Sequence, residues 1–465
     1  MEKMTGNDDF RDHLSNVDSS GRRVWMYPLK PQGLYTKYRK YVSVFLLAFL
    51  ILTPFIKING RPLLMFNILE GKFIIFGSIF WPQDFIVFGI AMMIGILFIA
   101  LFTMVYGRVF CGWVCPQTIF MEMVFRRIEY WIEGSHTKQK LLNKRPWDRD
   151  KLYKKTLKHT IFLLISFGIA NIFLSYIIGV DALWEIITDP VSQHLGGFVA
   201  ILIFTLAFYG VFAFVREIVC TNICPYGRLQ GVLLDSDSVV VAYDHQRGEP
   251  RGKFKKGQER EIGDCIDCGQ CVQVCPTGID IRHGTQLECV NCTACIDACD
   301  NIMDKVGLPR GLIRYDSENA ISRNEKWHFT TRTKVYSFIL VALIFVEGGL
   351  LLNRSNVSAT VTRVAGQLYQ VRDDDSVSNL YNIKLVNKTF DDIDNIILEP
   401  LNLDGDIEVV GNKKLNLPAE GITEGTFFLI VGNESVKPGK NKLEFKIVSG
   451  GEVLTKVSTS FFSPN

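Results

Sequence analysis

Eight of the twelve cysteines fall within 35 residues, in two copies of one spacing: Cys265, Cys268, Cys271, Cys275 and Cys289, Cys292, Cys295, Cys299. The run C-x2-C-x2-C-x3-C is that of two-cluster ferredoxins. Three close thiolates of each run hold one cubane there, and the fourth reaches the other cubane. The expected ligands are therefore Cys265, Cys268, Cys271 and Cys299 for one 4Fe-4S cluster, and Cys289, Cys292, Cys295 and Cys275 for the second. Pro276 follows the first run as the motif asks, whereas Asp300 follows the second. Structural zinc needs two CxxC pairs across a longer loop, not three cysteines at steps of three. A disulfide framework does not suit a segment expected in a reducing compartment. The chemistry implied is one-electron transfer.

The other four cysteines form a second constellation, Cys111-x3-Cys115-Pro116 and Cys220-x3-Cys224-Pro225, offset by 109 residues. Proline suits the first turn of a helix and pushes the residue before it towards extended geometry, so each pair should sit at a helix junction. Arg108 and Arg216 stand close enough in sequence to favour thiolate. Three readings stay open for Cys111, Cys115, Cys220 and Cys224. Soft thiolates select copper(I), zinc or iron–sulfur centres; two dithiols could exchange electrons with the clusters; or small polarizable cysteines simply pack at helix ends. Met92, Met93, Met104, Met121 and Met123 lie nearby and read as packing rather than as copper ligands. The chain has no CxxCH, no Walker A motif and no GxGxxG after a strand, so no nicotinamide or flavin site is expected.

These motifs need elements to hold them. The 465 residues are 48% hydrophobic with a mean hydropathy of +0.16, too apolar for an average soluble protein. The apolar residues bunch into five runs, Tyr41–Ile56, Phe85–Tyr106, Thr160–Val180, Gly196–Val215 and Val335–Leu352. A bilayer core takes about 20 helical residues, so five membrane helices are expected. Phe73–Trp81 is too short and reads as an interfacial or re-entrant piece. Lys and Arg number eight in 1–40, three in 57–84, twelve in 107–159, none in 181–195 and sixteen in 216–334. That alternation predicts a cytoplasmic N-terminus and cluster segment, with everything after Leu352 exported. A net charge of +3 gives no footprint for nucleic acid.

The expected organisation is a loose cytoplasmic arm (1–40), a four-helix membrane core with both CxxxCP motifs (41–231), and a cytoplasmic α+β ferredoxin module (232–334). A fifth membrane helix (335–352) and an exported domain (353–465) follow. Gly248–Glu261 reads as a linker. Tyr381–Val386, Thr426–Val431, Lys442–Val448 and Leu454–Phe461 alternate apolar and polar residues, which predicts a β-sandwich without redox ligands.

The chain resembles the CcoG family, also called RdxA or FixG, of bacterial cytochrome c oxidase accessory proteins. The resemblance rests on FWPQDF at Phe80–Phe85, FCGWVCPQT at Phe110–Thr118, RGEPRG at Arg247–Gly252, both cysteine runs, and GLPRGLIRYDSEN at Gly307–Asn319. It implies an immunoglobulin-like exported domain, a bacterial inner-membrane location and a role in assembling the cbb-type oxidase. It further implies reduction of copper(II) to copper(I). The partners to expect are a cytoplasmic electron donor, a copper chaperone or transporter, and oxidase subunits. A quinol-dehydrogenase-like electron-transfer subunit and a non-enzymatic assembly scaffold are the alternatives.

Overall fold

The computed structural model describes residues 20, 22–58, 60–68, 71–81, 84–253, 262–325, 328–366, 368–372, 376–411 and 415–464. The chain forms two compact units, Met1–Ile56 with Ala91–Ile344, and Lys57–Ile90 with Phe345–Asn465. Among the described residues, five helices are long and apolar enough to cross a membrane: Leu34–Phe55, Phe85–Tyr106, Arg149–Ile178, Leu195–Val215 and Thr331–Leu352. Each contains most of one expected run.

In the first unit the first span begins earlier than its apolar run, so the expectation of a loose arm through residue 40 is corrected. The carboxylate of Asp297, from the Ala294–Val306 helix, accepts from the backbone N–H of Tyr35 (3.0 Å) and Thr36 (2.7 Å) and from the Thr36 hydroxyl (2.6 Å). A side chain distant in sequence thus satisfies the orphan donors of the first turn. The backbone of Leu29 also donates to Gln273 (2.7 Å). Most of residues 1–21 lie outside the described residues.

The cluster segment is α+β. Strands Val240–Tyr243 and Ile313–Asp316 pair antiparallel. They pack with Ile279, Ile281, Ile296 and Met303 around the cysteines. The linker reading of Gly248–Glu261 fails at its start, because Gly248 ends the His245–Gly248 helix and Arg247 binds Asp264 (2.5 Å). Residues 254–261 lie outside the described ones.

The second unit is a two-sheet sandwich. Ser376–Asn387 lies between Val357–Arg363 and Ile422–Gly432 in one sheet, and Gly439–Ser449 between Ile393–Pro400 and Glu452–Ser463 in the other. Alternate residues, among them Tyr381, Leu385, Phe427, Phe445 and Phe461, fill its core. Phe73–Trp81 carries two short strands joined by a hairpin turn. It belongs to a three-stranded antiparallel sheet, Leu64–Asn67, Lys72–Ile75 and Ser78–Phe80. Phe76 (φ +49°) and Gly77 (φ +78°) close its second hairpin, the left-handed pair that matches strand twist. Ile74, Ile79 and Trp81 bury against Val386 of the sandwich. Asp84 accepts from Lys388 (2.5 Å) and Arg354 (2.6 Å).

Candidate redox site

The two ferredoxin runs take the same local path. Left-handed residues flank the central cysteine of each: Asp267 (φ +57°) and Gly269 (φ +65°) around Cys268, Asn291 (φ +52°) and Thr293 (φ +63°) around Cys292. Such turns wrap the backbone into a cradle and bring three thiols to its inside. Cys299 sits beside Cys271, Cys268 and Cys265, and Cys275 beside Cys289, Cys292 and Cys295. A small cavity of about 20 Å³ is lined by Cys271, Cys275, Cys289, Cys292 and Cys295.

This donor set fits two cubanes. Among the described residues no three Cys, His, Asp or Glu side chains converge tightly enough for one bare ion; the thiols are spread around a volume instead. Burial pushes the thiols of Cys271 and Cys289 up to about 12. Only a strongly cationic guest makes such a set of thiolates favourable. The runs differ in access: Cys268 is exposed, whereas Cys292 is buried.

The CxxxCP pairs lie at helix junctions, as proline requires. Cys115 (φ −57°, ψ 124°) and Cys224 (φ −67°, ψ 112°) are extended, and Pro116 and Pro225 open the helices that follow. The pairs converge: Cys115 and Cys224 stand beside Cys111, and Cys115 and Cys111 beside Cys220. Cys111 and Cys220 also share one apolar cluster with Val290, Cys292 and Cys295. Gly112 makes this possible, since a Cβ there would lie 2.5 Å from the Val290 carbonyl. Arg39 ties the same parts together, donating to Gly112 (2.7 Å) and Cys292 (3.4 Å).

The two arginines behave differently from expectation. Arg108 does face the thiols, and it donates to the carbonyls of Leu287 and of Cys220 (3.3 Å for the latter). Burial outweighs its charge, and the Cys111 thiol is still pushed up. Burial likewise pushes Cys220 up to about 12. Arg216 turns away to form a two-pronged pair with Glu129 (2.5 and 2.8 Å). Of the methionines, Met92 and Met93 are exposed on their helix, and Met121 packs among Phe120, Phe125 and Phe162.

Residues 215–318 match the 4Fe-4S dicluster domain family, 88–138 a 4Fe-4S binding domain family, and 348–464 the immunoglobulin-like fold at the C-terminus of FixG. Protein RdxB of Cereibacter sphaeroides is 34% identical over 79% of this chain and 80% of its own length. Protein RdxA of the same organism is 34% identical over 80% and 81%. The chain belongs to the RdxA/FixG family. The nitrogen fixation protein FixG of Rhizobium meliloti is 32% identical over 79% of this chain and 77% of its own. As an RdxA/FixG protein the chain is an iron–sulfur electron-transfer protein, and its last domain is the FixG immunoglobulin-like one.

Two features of this RdxA/FixG protein escaped the sequence reading. Gln230 is fully buried; its oxygen lies 2.9 Å from the Cys111 sulfur and its nitrogen donates to Thr103 (3.1 Å). Only the bare presence of a glutamine in the helix after Cys224-Pro225 hinted at it. The second is a buried charge lattice around Arg216. Arg126 binds Glu122 (2.8 Å), Arg23 binds Glu217 (2.9 Å), and Lys158 and Lys155 bind Glu133 (2.9 and 2.8 Å). Burial would raise the Glu129 carboxyl, but Arg216, Lys158 and Arg126 hold it down to about 2. The signal in sequence was Arg126, Glu129 and Glu133 on one face of one helical stretch.

Proposed function

We propose that this chain is an inner-membrane electron-transfer protein that reduces copper(II) to copper(I) for assembly of a cbb-type cytochrome c oxidase. The observation that carries this reading is the single apolar cluster joining Cys111 and Cys220 to Cys292 and Cys295. Cys265, Cys268, Cys271 and Cys299 would hold one cubane, and Cys289, Cys292, Cys295 and Cys275 the other. When bound, the cubanes supply electrons one at a time, the stoichiometry that copper(II) reduction needs. The chain's own residues do the rest. Cys111, Cys115, Cys220 and Cys224 offer soft donors that prefer the copper(I) product. Gln230 orients the Cys111 sulfur, and the apolar surroundings keep water from it. The Lys- and Arg-rich segments favour a cytoplasmic site with the sandwich in the periplasm, where it would dock oxidase subunits or a copper transporter.

Anaerobic titration of the reduced protein with copper(II), followed by cluster EPR and a copper(I) chelator, tests this. Wild type should yield copper(I) as its clusters oxidise. The Cys111/Cys115/Cys220/Cys224→Ala protein should keep its clusters and lose copper(II) reduction. Equal rates in both proteins would overturn the proposal, and an oxidase that still assembles with the quadruple variant would favour a scaffold.

One observation favours a second occupant of the four thiols. The 4Fe-4S binding domain match spans Cys111 and Cys115, so the quartet could hold iron of its own. Iron analysis separates the two: about eight irons per chain for two cubanes, or more than eight, falling in the quadruple variant.

A further inference from the structure

The lattice around Arg216 encloses a cavity that the copper reading does not use. It holds about 360 Å³, and its walls include Trp25, Glu133, Lys158, His159, Phe214 and Arg216. That is a small-molecule size, since such sites run from about 300 to 1,000 Å³. It lies where the Arg149–Ile178 span starts and the Leu195–Val215 span ends.

The lining selects against ions. Arg216 is matched by Glu129, and Lys155 and Lys158 by Glu133, so a phosphate or carboxylate would meet charges already compensated. Four aromatic side chains, Trp25, Tyr27, His159 and Phe214, stand among these paired charges. The His159 ring stacks on Phe214 (6.0 Å, 16°), Tyr209 meets Phe214 edge-on (5.8 Å, 89°), and Trp25 lies beside them. Nδ1 of His159 lies 2.9 Å from the Tyr209 hydroxyl; in the tautomer in which Nδ1–H donates to that oxygen, Nε2 is the basic nitrogen that faces a ligand. One and two turns beyond His159, Leu163 and Phe167 are 41% and 44% exposed, a lane along the span for an apolar tail. The cavity also adjoins the thiol quartet. The Arg216 carbonyl accepts from Gln117 (3.5 Å), two residues past Cys115, and Cys220 follows Arg216 by one turn.

We propose that this cavity binds the ring of a membrane quinol and oxidises it there. A neutral ring with two oxygens suits stacked aromatic walls and a histidine nitrogen, and its isoprenoid tail suits the apolar lane. The electron sink rests on the reading of the chain as a copper(II) reductase. One quinol and two copper(II) give one quinone, two copper(I) and two protons. The first hydroxyl proton goes to Nε2 of His159 and passes on to water, and the second follows through the same nitrogen. The electron donor is then a lipid-phase reductant rather than a soluble partner meeting the exposed Cys268.

The test uses full-length, cluster-loaded protein in nanodiscs and an azido-quinone photoprobe. The label should map to peptides containing His159 or Phe214 and be displaced by decylubiquinone. His159→Leu and Tyr209→Phe should each lower labelling at least tenfold while iron content and thermal melting stay at wild-type values. Decylubiquinol should reduce the wild-type clusters and fail with His159→Leu. Labelling elsewhere, or undiminished in both variants, overturns the proposal, as does reduction by a soluble ferredoxin or flavodoxin but not by quinol. Dithionite keeps the two readings apart. If dithionite-reduced protein makes copper(I) but the cavity takes no label, only the quinol site falls. If the cavity labels and dithionite-reduced protein makes no copper(I), only the copper reading falls.

Discussion

The membrane repeat and the ferredoxin repeat lose their symmetry in the same way. Gly107 (φ +57°) ends one apolar span, and 109 residues later Arg216 (φ +57°) ends another. Gly269 (φ +65°) follows Cys268, and 24 residues later Thr293 (φ +63°) follows Cys292. The two members of each pair share one positive φ, which glycine takes freely. A residue with a Cβ takes it at a strain of about 1–3 kcal/mol. The second copy must therefore hold its side chain with something the first copy lacks. Arg216 has the Glu129 carboxylate; the Thr293 hydroxyl donates to the Cys292 carbonyl (2.6 Å). Through Arg216 the second membrane half ties into the charge lattice of Arg126, Glu129 and Glu133 and the cavity beside it. The first half stays plain enough for Gly112 to lie against the cluster loop.

The largest expected effect tests the Arg216 side of this contrast. Glu129→Gln should destabilise the protein by about 3–5 kcal/mol, because it leaves a buried guanidinium without its counter-charge. Adding Arg216→Gly, which makes the second half resemble the first, should recover much of the loss. Denaturant melts of both single variants and the double variant give the coupling. Additive losses would mean that the pair does not hold the turn.

The same pair sets an acid response. Glu129 is held to about 2, below its ordinary 4.5. The stability it contributes is therefore fully present above about pH 4.5 and is lost as pH falls towards about 2. Glu129→Gln lacks this proton, so the wild-type advantage in melting temperature should shrink steadily between about pH 5 and pH 3. An advantage that stays constant across that window would show that the carboxylate is not ionised against Arg216.

A smaller effect compares the residues after the first cysteine of each CxxxCP. Gly112→Ala forces a Cβ to within 2.5 Å of the Val290 carbonyl, an immobile backbone atom. It should cost about 1–3 kcal/mol as overpacking and alter the EPR line shape of the adjacent cluster. Thr221, 109 residues on, already carries a side chain; Thr221→Ala should stay within about 0.5 kcal/mol and leave the spectrum alone.

What could be read from sequence was whatever is written locally. Proline predicted the junctions at Cys115 and Cys224, and period-two alternation located the sandwich strands. The failures share one cause, a partner far along the chain. Residues 34–40 looked like a polar arm because their helix is capped by Asp297, more than 250 residues away. Phe73–Trp81 does not read as sheet in sequence because the partner of its apolar face is Val386, some 300 positions on. Arg216 was assigned to the nearby Cys220, yet it pairs with Glu129, 87 positions earlier. Sequence proximity to a thiol was a poor guide once a carboxylate could reach the same guanidinium.

The smallest effect concerns Thr293, and two opposing contributions decide it. Thr293→Gly relieves the left-handed strain of a β-branched residue, a gain of about 1–3 kcal/mol. Against that, glycine restores freedom to the unfolded chain, worth about 0.4–1 kcal/mol, and the hydroxyl bond to Cys292 disappears, worth about 0.5–1.5 kcal/mol. The net change in stability should therefore lie within about 1 kcal/mol of zero, measured as the shift in denaturant midpoint of the cluster-loaded protein. The reverse change separates backbone from side chain. Gly269→Thr introduces the strain on a surface with nothing within 4 Å of its Cβ, so no buried contact offsets it, and it should destabilise by more than Thr293→Gly changes anything. Equal and opposite shifts would mean that the two left-handed turns are interchangeable and that the second copy holds its threonine through no contact of its own.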